Sequence, residues 1–338
     1  MSFWNLRFGV EFTDREGNRR WPPILVVTVP TAGYRMRIDT MQLASIFNLI
    51  IVTAGALAAA FWFSDRGITL FDITLLLTTQ FLVGLGITLG YHRLFCHKAF
   101  SAGRGVSIVL GALAAASMQG KIMTWVSVHR KHHHHSDEVG DPHSPKSAGE
   151  GFVAALLAFL DGHVGWTVSG RLCNYTDYVR DLRRDEAIAF ADRYYWLWVL
   201  MGWLIPGLIS AAWYGSWPGF VSGVLGAGAM RVFLQLQATW AVNSLGHLWG
   251  SRPFVTKDDS RNNPLVNAMT LVGEGLHNNH HAFQWSAKFS LHKGEIDPGF
   301  WVLRVLARTG LVWDVKIPGP DLIEARGDAA GHSGAGAG

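Results

Sequence analysis

Histidines in three short clusters stand out: His92 and His97 in HRLFCH, His129, His132 and His133 in HRKHH, and His277, His280 and His281 in HNNHH. In HRKHH and HNNHH the imidazoles stand at i, i+3 and i+4, a spacing that places them on one side of a helix. Each cluster can therefore direct several nitrogens at one volume. HRLFCH differs, because residues five apart point about 140° apart on an α-helix. That pair either straddles a helix end or sends one ligand to each of two metals. His247 follows Asn243 by one helical turn and adds a ninth imidazole. Nine are more than a single ion accommodates, so two ions fit the count better.

The donor type narrows the metal. Closed structural zinc sites favour thiolates, and calcium or magnesium favours oxygen. Imidazole-rich ligation suits iron, zinc, copper or nickel. Iron is selected by the surroundings, because each cluster lies just beyond an apolar stretch. A site beside lipid chains meets mainly unactivated carbon, and cleaving such C–H bonds calls for activated oxygen.

The elements that must position the histidines are membrane spans. The 338 residues are 49% hydrophobic and 16% charged, with a mean hydropathy of +0.18. The apolar residues gather into runs long enough for the roughly 20 helical residues a bilayer requires. Four are read, at about 41–63, 73–91, 194–213 and 217–238, paired into hairpins by the short turns at Ser64 to Gly67 and at Tyr214 to Ser216. An even number of crossings puts both termini on one side. Arg7, Arg15, Arg19, Arg20, Arg35 and Arg37 precede the first span, and the middle segment carries Arg93, Lys98, Arg104, Lys121, Arg130, Lys131 and Lys146. The positive-inside rule makes these segments cytoplasmic and puts all the histidine clusters on that face. Gly105 to Met118 is too short and too rich in Ala and Gly for a crossing, and is read as re-entrant or interfacial. From Gly327 the chain reads as a flexible end, and residues 1–20 lack the apolar core of a signal peptide.

Other classes are excluded or weakened. A net charge of +4 and a pI of about 9.1 fit loops facing anionic lipid, and no basic run with interleaved aromatics indicates nucleic-acid binding. Cys96 and Cys173 build neither a disulfide framework nor an iron–sulfur site. GLGITLG at 84–90 and GAGAM at 226–230 follow no strand and are read as small-residue helix packing. A lone histidine is ordinarily a hydrogen-bonded structural residue, the reading given to His163, His292 and His332; His134, His135 and His143 are intermediate.

HRLFCH, HRKHH and HNNHH, together with NSLGH at 243–247, GEGLHNNHH at 273–281, WAVNSLGHLWGSRP and DPH at 141–143, make the chain resemble the membrane fatty-acyl desaturases of the acyl-CoA Δ9 (stearoyl-CoA) type, from about Gly90 to Asp314. The resemblance implies an all-α polytopic fold in which four transmembrane helices carry a cytosolic helical cap with a di-iron centre. It divides the chain into a cytosolic segment, 1–40, a desaturase domain, 41–314, and a flexible tail, 315–338. It assigns as metal ligands His92, His97, His129, His132, His133, His247, His277, His280 and His281, with Asn243 reaching one metal through water. Gln119, Trp125 and Thr239 match positions lining the bend of the acyl tunnel. Two electrons and O2 then give water and a cis double bond.

Asp137 and Asp141 are expected to support ligands from behind, with capping the alternative. No haem, rubredoxin or flavin segment is fused, so a separate ferredoxin, rubredoxin or cytochrome b5 and its reductase are implied. Ser127 and Val128 stand where the animal acyl-CoA enzymes have Arg and Asp contacting the nucleotide. Acyl-CoA leads as substrate, with phospholipid-bound acyl chains second. Gln80 and Gly84 occupy positions where relatives set chain length. Two competing readings are a histidine-box hydroxylase with the same metals, and a metal transporter. Transport predicts ionisable residues deep in several spans, and only Arg231 is clearly inside one. The absence of fused domains and organelle signals points to a bacterial inner membrane.

Overall fold

The computed structural model describes residues 7–9, 24–28, 35–38, 40–145, 150–169 and 177–334. Four helices are long and apolar enough to cross a membrane: Gln42–Arg66, Leu70–Cys96, Tyr195–Tyr214 and Trp217–Leu248. The second and fourth run further toward the histidine side than hydropathy indicates. His92 and the Asn243 to His247 turn therefore belong to the spans themselves.

The hairpin turns follow from their residues. Gly67 and Gly215 take left-handed backbone conformations, with φ of +73° and +62°. Thr69 and Asp72 form a capping box at the start of the second span, and Ser216 caps the fourth. Tyr214 donates to Asp72 at 3.0 Å, and Phe71 stacks on Trp213 at 4.6 Å, so the two hairpin tips are joined on the side away from the histidines.

Arg104–Ala115 is a helix of 12 residues, too short to cross a hydrocarbon layer of about 30 Å. It packs backbone-close on the second span: a Cβ at Gly86 would lie 2.3 Å from Ala114 N. The GLGITLG segment thus serves helix packing. Arg231 is fully buried and donates only to backbone carbonyls, those of Ala116 at 2.7 Å, Gly202 at 3.1 Å and Ala227 at 3.3 Å. It pins the end of that short helix between the third and fourth spans.

Two features depart from an all-α reading. A three-stranded antiparallel sheet joins Arg7–Gly9, Ile24–Thr28 and Arg35–Ile38, and Ser101–Ala102 pairs with Val312–Trp313. The tail is also not uniformly irregular, since Pro320–Gly334 is helical. Its Ile323 packs against the buried cluster of Phe254, Ala282 and Phe283. Its Arg326 donates to the Ala282 carbonyl and stands over the Phe283 ring.

One element escaped the sequence reading altogether. Phe152–Leu160 continues through a π-turn, Asp161–Gly165, into Trp166–Val168. Its nine-residue opening, FVAALLAFL, is too short to register as a span and has no polar side to give amphipathic spacing.

Candidate metal centre

Four elements bring the histidines together. His92 lies in the last part of the second span, and His97 caps it. His129, His132 and His133 share the helix Ile122–His135. His247 occupies the last turn of the fourth span, and His277, His280 and His281 lie on the six-residue helix His277–Ala282.

The nine imidazoles sort into two groups, in each of which the ligand atoms lie within 4.8 Å of one another. The first holds His92, His97, His129, His133 and His280; the second holds His132, His247, His277 and His281. HRLFCH contributes both its histidines to the first group, so the option of one ligand per metal does not hold for it. The reason is local winding. Gly86–Cys96 is a π-helix, and His97 N donates to His92 O at 3.1 Å. An i→i+5 bond places the fifth residue about one turn along, on the same side.

Ring nitrogens face one another at short range. His92 Nε2 lies 2.9 Å from His280 Nε2, which lies 2.9 Å from His133 Nε2. His129 Nε2 is 3.0 Å from His133 Nε2 and 3.2 Å from His97 Nε2. In the second group His247 and His277 present Nε2 atoms 3.0 Å apart. Two nitrogens each about 2.1 Å from one ion, at right angles, lie about 3.0 Å from each other.

Carboxylates fix four rings from behind. His132 Nδ1 donates to Asp141 at 3.0 Å, His247 Nδ1 to Asp137 at 2.9 Å, His281 Nδ1 to Asp258 at 2.7 Å and His92 Nδ1 to Glu274 at 2.7 Å. A carboxylate that accepts the hydrogen bond from Nδ1–H holds the proton on that nitrogen and leaves the Nε2 lone pair pointing inward. Nε2 of His132 and of His281 is buried with no protein partner. These features fit a pair of first-row metal ions. Asp137 and Asp141 lie behind His247 and His132, and Asp141 also caps the following turn by accepting from Asp137 N and His143 N. Asp258 and Glu274 were missed. Glu274 stands inside GEGLHNNHH, but no spacing links it to His92, 182 positions away.

Electrostatics keep six of the rings neutral. Burial, reinforced by neighbouring imidazoles, pushes His97, His129, His133, His277 and His280 well below the usual histidine range. Burial likewise lowers His281, against the opposing pull of Asp258, to about 4. Burial alone would raise Asp137, Asp141 and Asp258, but their interactions with His247, His132 and His281 hold them below the usual carboxylate range.

The asparagines of HNNHH lash their helix in place. Asn278 bonds Phe254 N and the carbonyls of Phe254 and Ser260, and Asn279 bonds Asn262, Phe289 O and Glu295. Beside His92, the buried Arg93 pairs with Asp297 at 2.9 Å. His143 joins His132 and Asp141 in a third close group. His163 is held by Ser244 and Gln237, His292 stacks on Phe254, and His134 and His135 lie outside the groups. The side chain of His332 lies outside the described residues, as do Cys173 and Lys146.

A cavity of about 330 Å³ leads to the histidines, and a smaller inner compartment adjoins them. Trp125, His129, Thr239 and Asn243 line both. At the junction Gln119 Nε2 donates to Thr239 at 2.9 Å, and Trp125 Nε1 donates to Gln119 Oε1 at 3.1 Å. Gly84 lines the inner compartment, and Gln80 is buried one turn earlier on the same helix.

A family model described as fatty acid desaturase matches residues 70–294, a stretch holding all nine histidines. The chain belongs to the fatty acid desaturase family. Among the relatives of this desaturase-family chain is a hex-5-enoyl-[acyl-carrier protein] acetylenase of Moorena producens (strain JHB), 39% identical, with 83% of this chain and 88% of the relative covered. Delta-9 acyl-lipid desaturase 2 of Arabidopsis thaliana is 35% identical, covering 83% and 84%. Icosanoyl-CoA 5-desaturase of Limnanthes douglasii is 33% identical, covering 84% and 75%. As a family member the chain is an oxidoreductase of lipid metabolism, with histidine clusters consistent with metal binding.

Proposed function

We propose that this desaturase places a cis double bond, at Δ9, in a saturated fatty acyl chain, using two iron ions held by the nine histidines. The carrying observation is that a cavity and a smaller compartment share Trp125, His129, Thr239 and Asn243 as lining beside the Gln119–Thr239 hydrogen bond, and that the smaller one reaches both histidine groups through His92 and His277. The five-histidine group would hold one ion and the four-histidine group the other, with Asn243 linked through water to the second. When bound, such a pair supplies the O2-dependent oxidising chemistry that an unactivated C–H bond requires. Overall, one –CH2–CH2– unit, O2, two electrons and two protons become –CH=CH– and two waters.

The chain's own residues supply position. Gln119, Trp125 and Thr239 fix the bend, so two adjacent methylenes are held at the histidines in a turned conformation that favours cis geometry. The apolar lining excludes water, and the neutral rings keep their lone pairs free. Electrons come from a separate ferredoxin, rubredoxin or cytochrome b5 with its reductase. Membrane insertion is in a bacterial inner membrane with termini and site cytoplasmic. Acyl-CoA and lipid-linked acyl chains are both carriers among the relatives.

Expression in a host with a compatible donor tests the reading. A new monounsaturated chain, with its double bond located by mass spectrometry, is expected from the native sequence and none from His280→Ala. An unchanged lipid profile, or an equally active variant, would sink it.

A further inference from the structure

The helix Pro298–Arg308 has two unlike sides. Phe300 and Leu303 are buried in the cluster that also holds Leu85 and Leu89 of the second span. The other side carries Trp301, Arg304, Val305 and Arg308 at i, i+3, i+4 and i+7, all exposed. Two apolar side chains and two guanidinium groups thus project from one stripe of the helix.

What that stripe faces follows from its depth. The second span starts at Leu70, and the roughly 20 helical residues that cross the hydrocarbon end near residue 90. The helix begins at that level, since a Cβ at Gly299 would lie 3.1 Å from Thr88 Cγ2 and 2.7 Å from Val272 O. Leu82 on the span is exposed, as is Val109 on the short helix that joins the same cluster through Val106 and Leu110. Trp301 and Val305, 55% and 57% exposed, extend that apolar belt. Tryptophan favours the headgroup region. Arginines at that level lay their stems on apolar surface and meet phosphate with a planar fork. The same helix is tied to the metal centre: Asp297 caps it by accepting from Phe300 N at 2.9 Å, and pairs with Arg93, the residue after His92.

We propose that Pro298–Arg308 lies in the leaflet on the histidine side, where Arg304 and Arg308 bind the phosphate of an anionic phospholipid. A lipid held there steadies the Asp297–Arg93 pair beside His92. The test titrates the full chain in detergent with phosphatidylglycerol and, separately, phosphatidylcholine. Bound lipid is counted by native mass spectrometry, and the melting temperature is followed alongside.

Phosphatidylglycerol is expected to bind more tightly and to raise the melting temperature. Arg304→Gln and Arg308→Gln should each weaken it about five-fold, and the double variant about 30-fold. Lys293→Gln, which removes an exposed charge outside this helix, should leave it unchanged. Equal binding of the two lipids, or a double variant that binds phosphatidylglycerol as the native chain does, overturns the site. Placement is read separately in vesicles by a fluorophore on Val305→Cys in a Cys173→Ser background. Quenching by headgroup-level nitroxide lipid is expected, and quenching by aqueous iodide instead refutes the leaflet placement. Iodide quenching that an added acidic ferredoxin blocks would make this face a protein dock and also overturn the proposal.

Discussion

At the scale of single residues, the imidazoles were legible and half of their carboxylate supports were not. The i, i+3, i+4 spacing of HRKHH and HNNHH survives folding because both stretches are helical. Asp137 and Asp141 lie within a dozen residues of HRKHH and could be guessed as neighbours. Asp258 and Glu274 could not, because they reach His281 and His92 only through tertiary structure. Their importance is testable. Asp258→Asn removes the charge that orients His281, and loss of such a support typically costs about 10- to 100-fold in metal affinity or activity. Iron per chain after dialysis against a chelator should fall together with turnover. Glu186→Gln is the comparison, since Glu186 pairs with Arg104 at an exposed site. That change should leave iron unaltered; equal iron loss in both variants would assign the Asp258 effect to general loosening.

At the scale of elements, hydropathy located the four spans but not where they stop. The second and fourth continue past their apolar windows because tertiary packing, rather than lipid, covers their last turns: His92, Arg93 and His247 are all buried. The π-winding of Gly86–Cys96 has no compositional signature, so the five-residue spacing of HRLFCH was ambiguous until the i→i+5 bond was seen. That segment depends on the short helix Arg104–Ala115 lying against it at backbone distance. Gly86→Val should therefore destabilise the protein by about 1–3 kcal/mol or more, through forced displacement of that helix. Gly103→Ala, where an added Cβ meets nothing within 4 Å, should leave the melting temperature in detergent unchanged. A Gly86→Val protein melting with the native one would show that this contact yields freely.

At the scale of the whole molecule, the fold gathers a set of neutral imidazoles in one buried volume, and this links stability to pH. The folded state holds His281 at about 4 and the neighbouring rings well below their usual range, while the unfolded chain titrates them near 6.5. Above 6.5 both states are deprotonated there, and these groups make stability independent of pH. Below 6.5 the unfolded chain takes up protons that the folded chain refuses, so stability falls with falling pH. For His281 that decline ends near 4, and each such group adds a slope approaching about 1.4 kcal/mol per pH unit. The carboxylates add their own loss at lower pH, since Asp137, Asp141 and Asp258 are held below the usual range. Metal-stripped protein in detergent should thus melt at a steady temperature from pH 8 to about 7 and progressively earlier from about 6.5 downward. Iron binds the deprotonated rings only, so loaded protein should hold its melting temperature to lower pH and then lose it more steeply as iron is released. Superimposable profiles for the stripped and loaded forms would show that the histidine groups are not what the metal occupies.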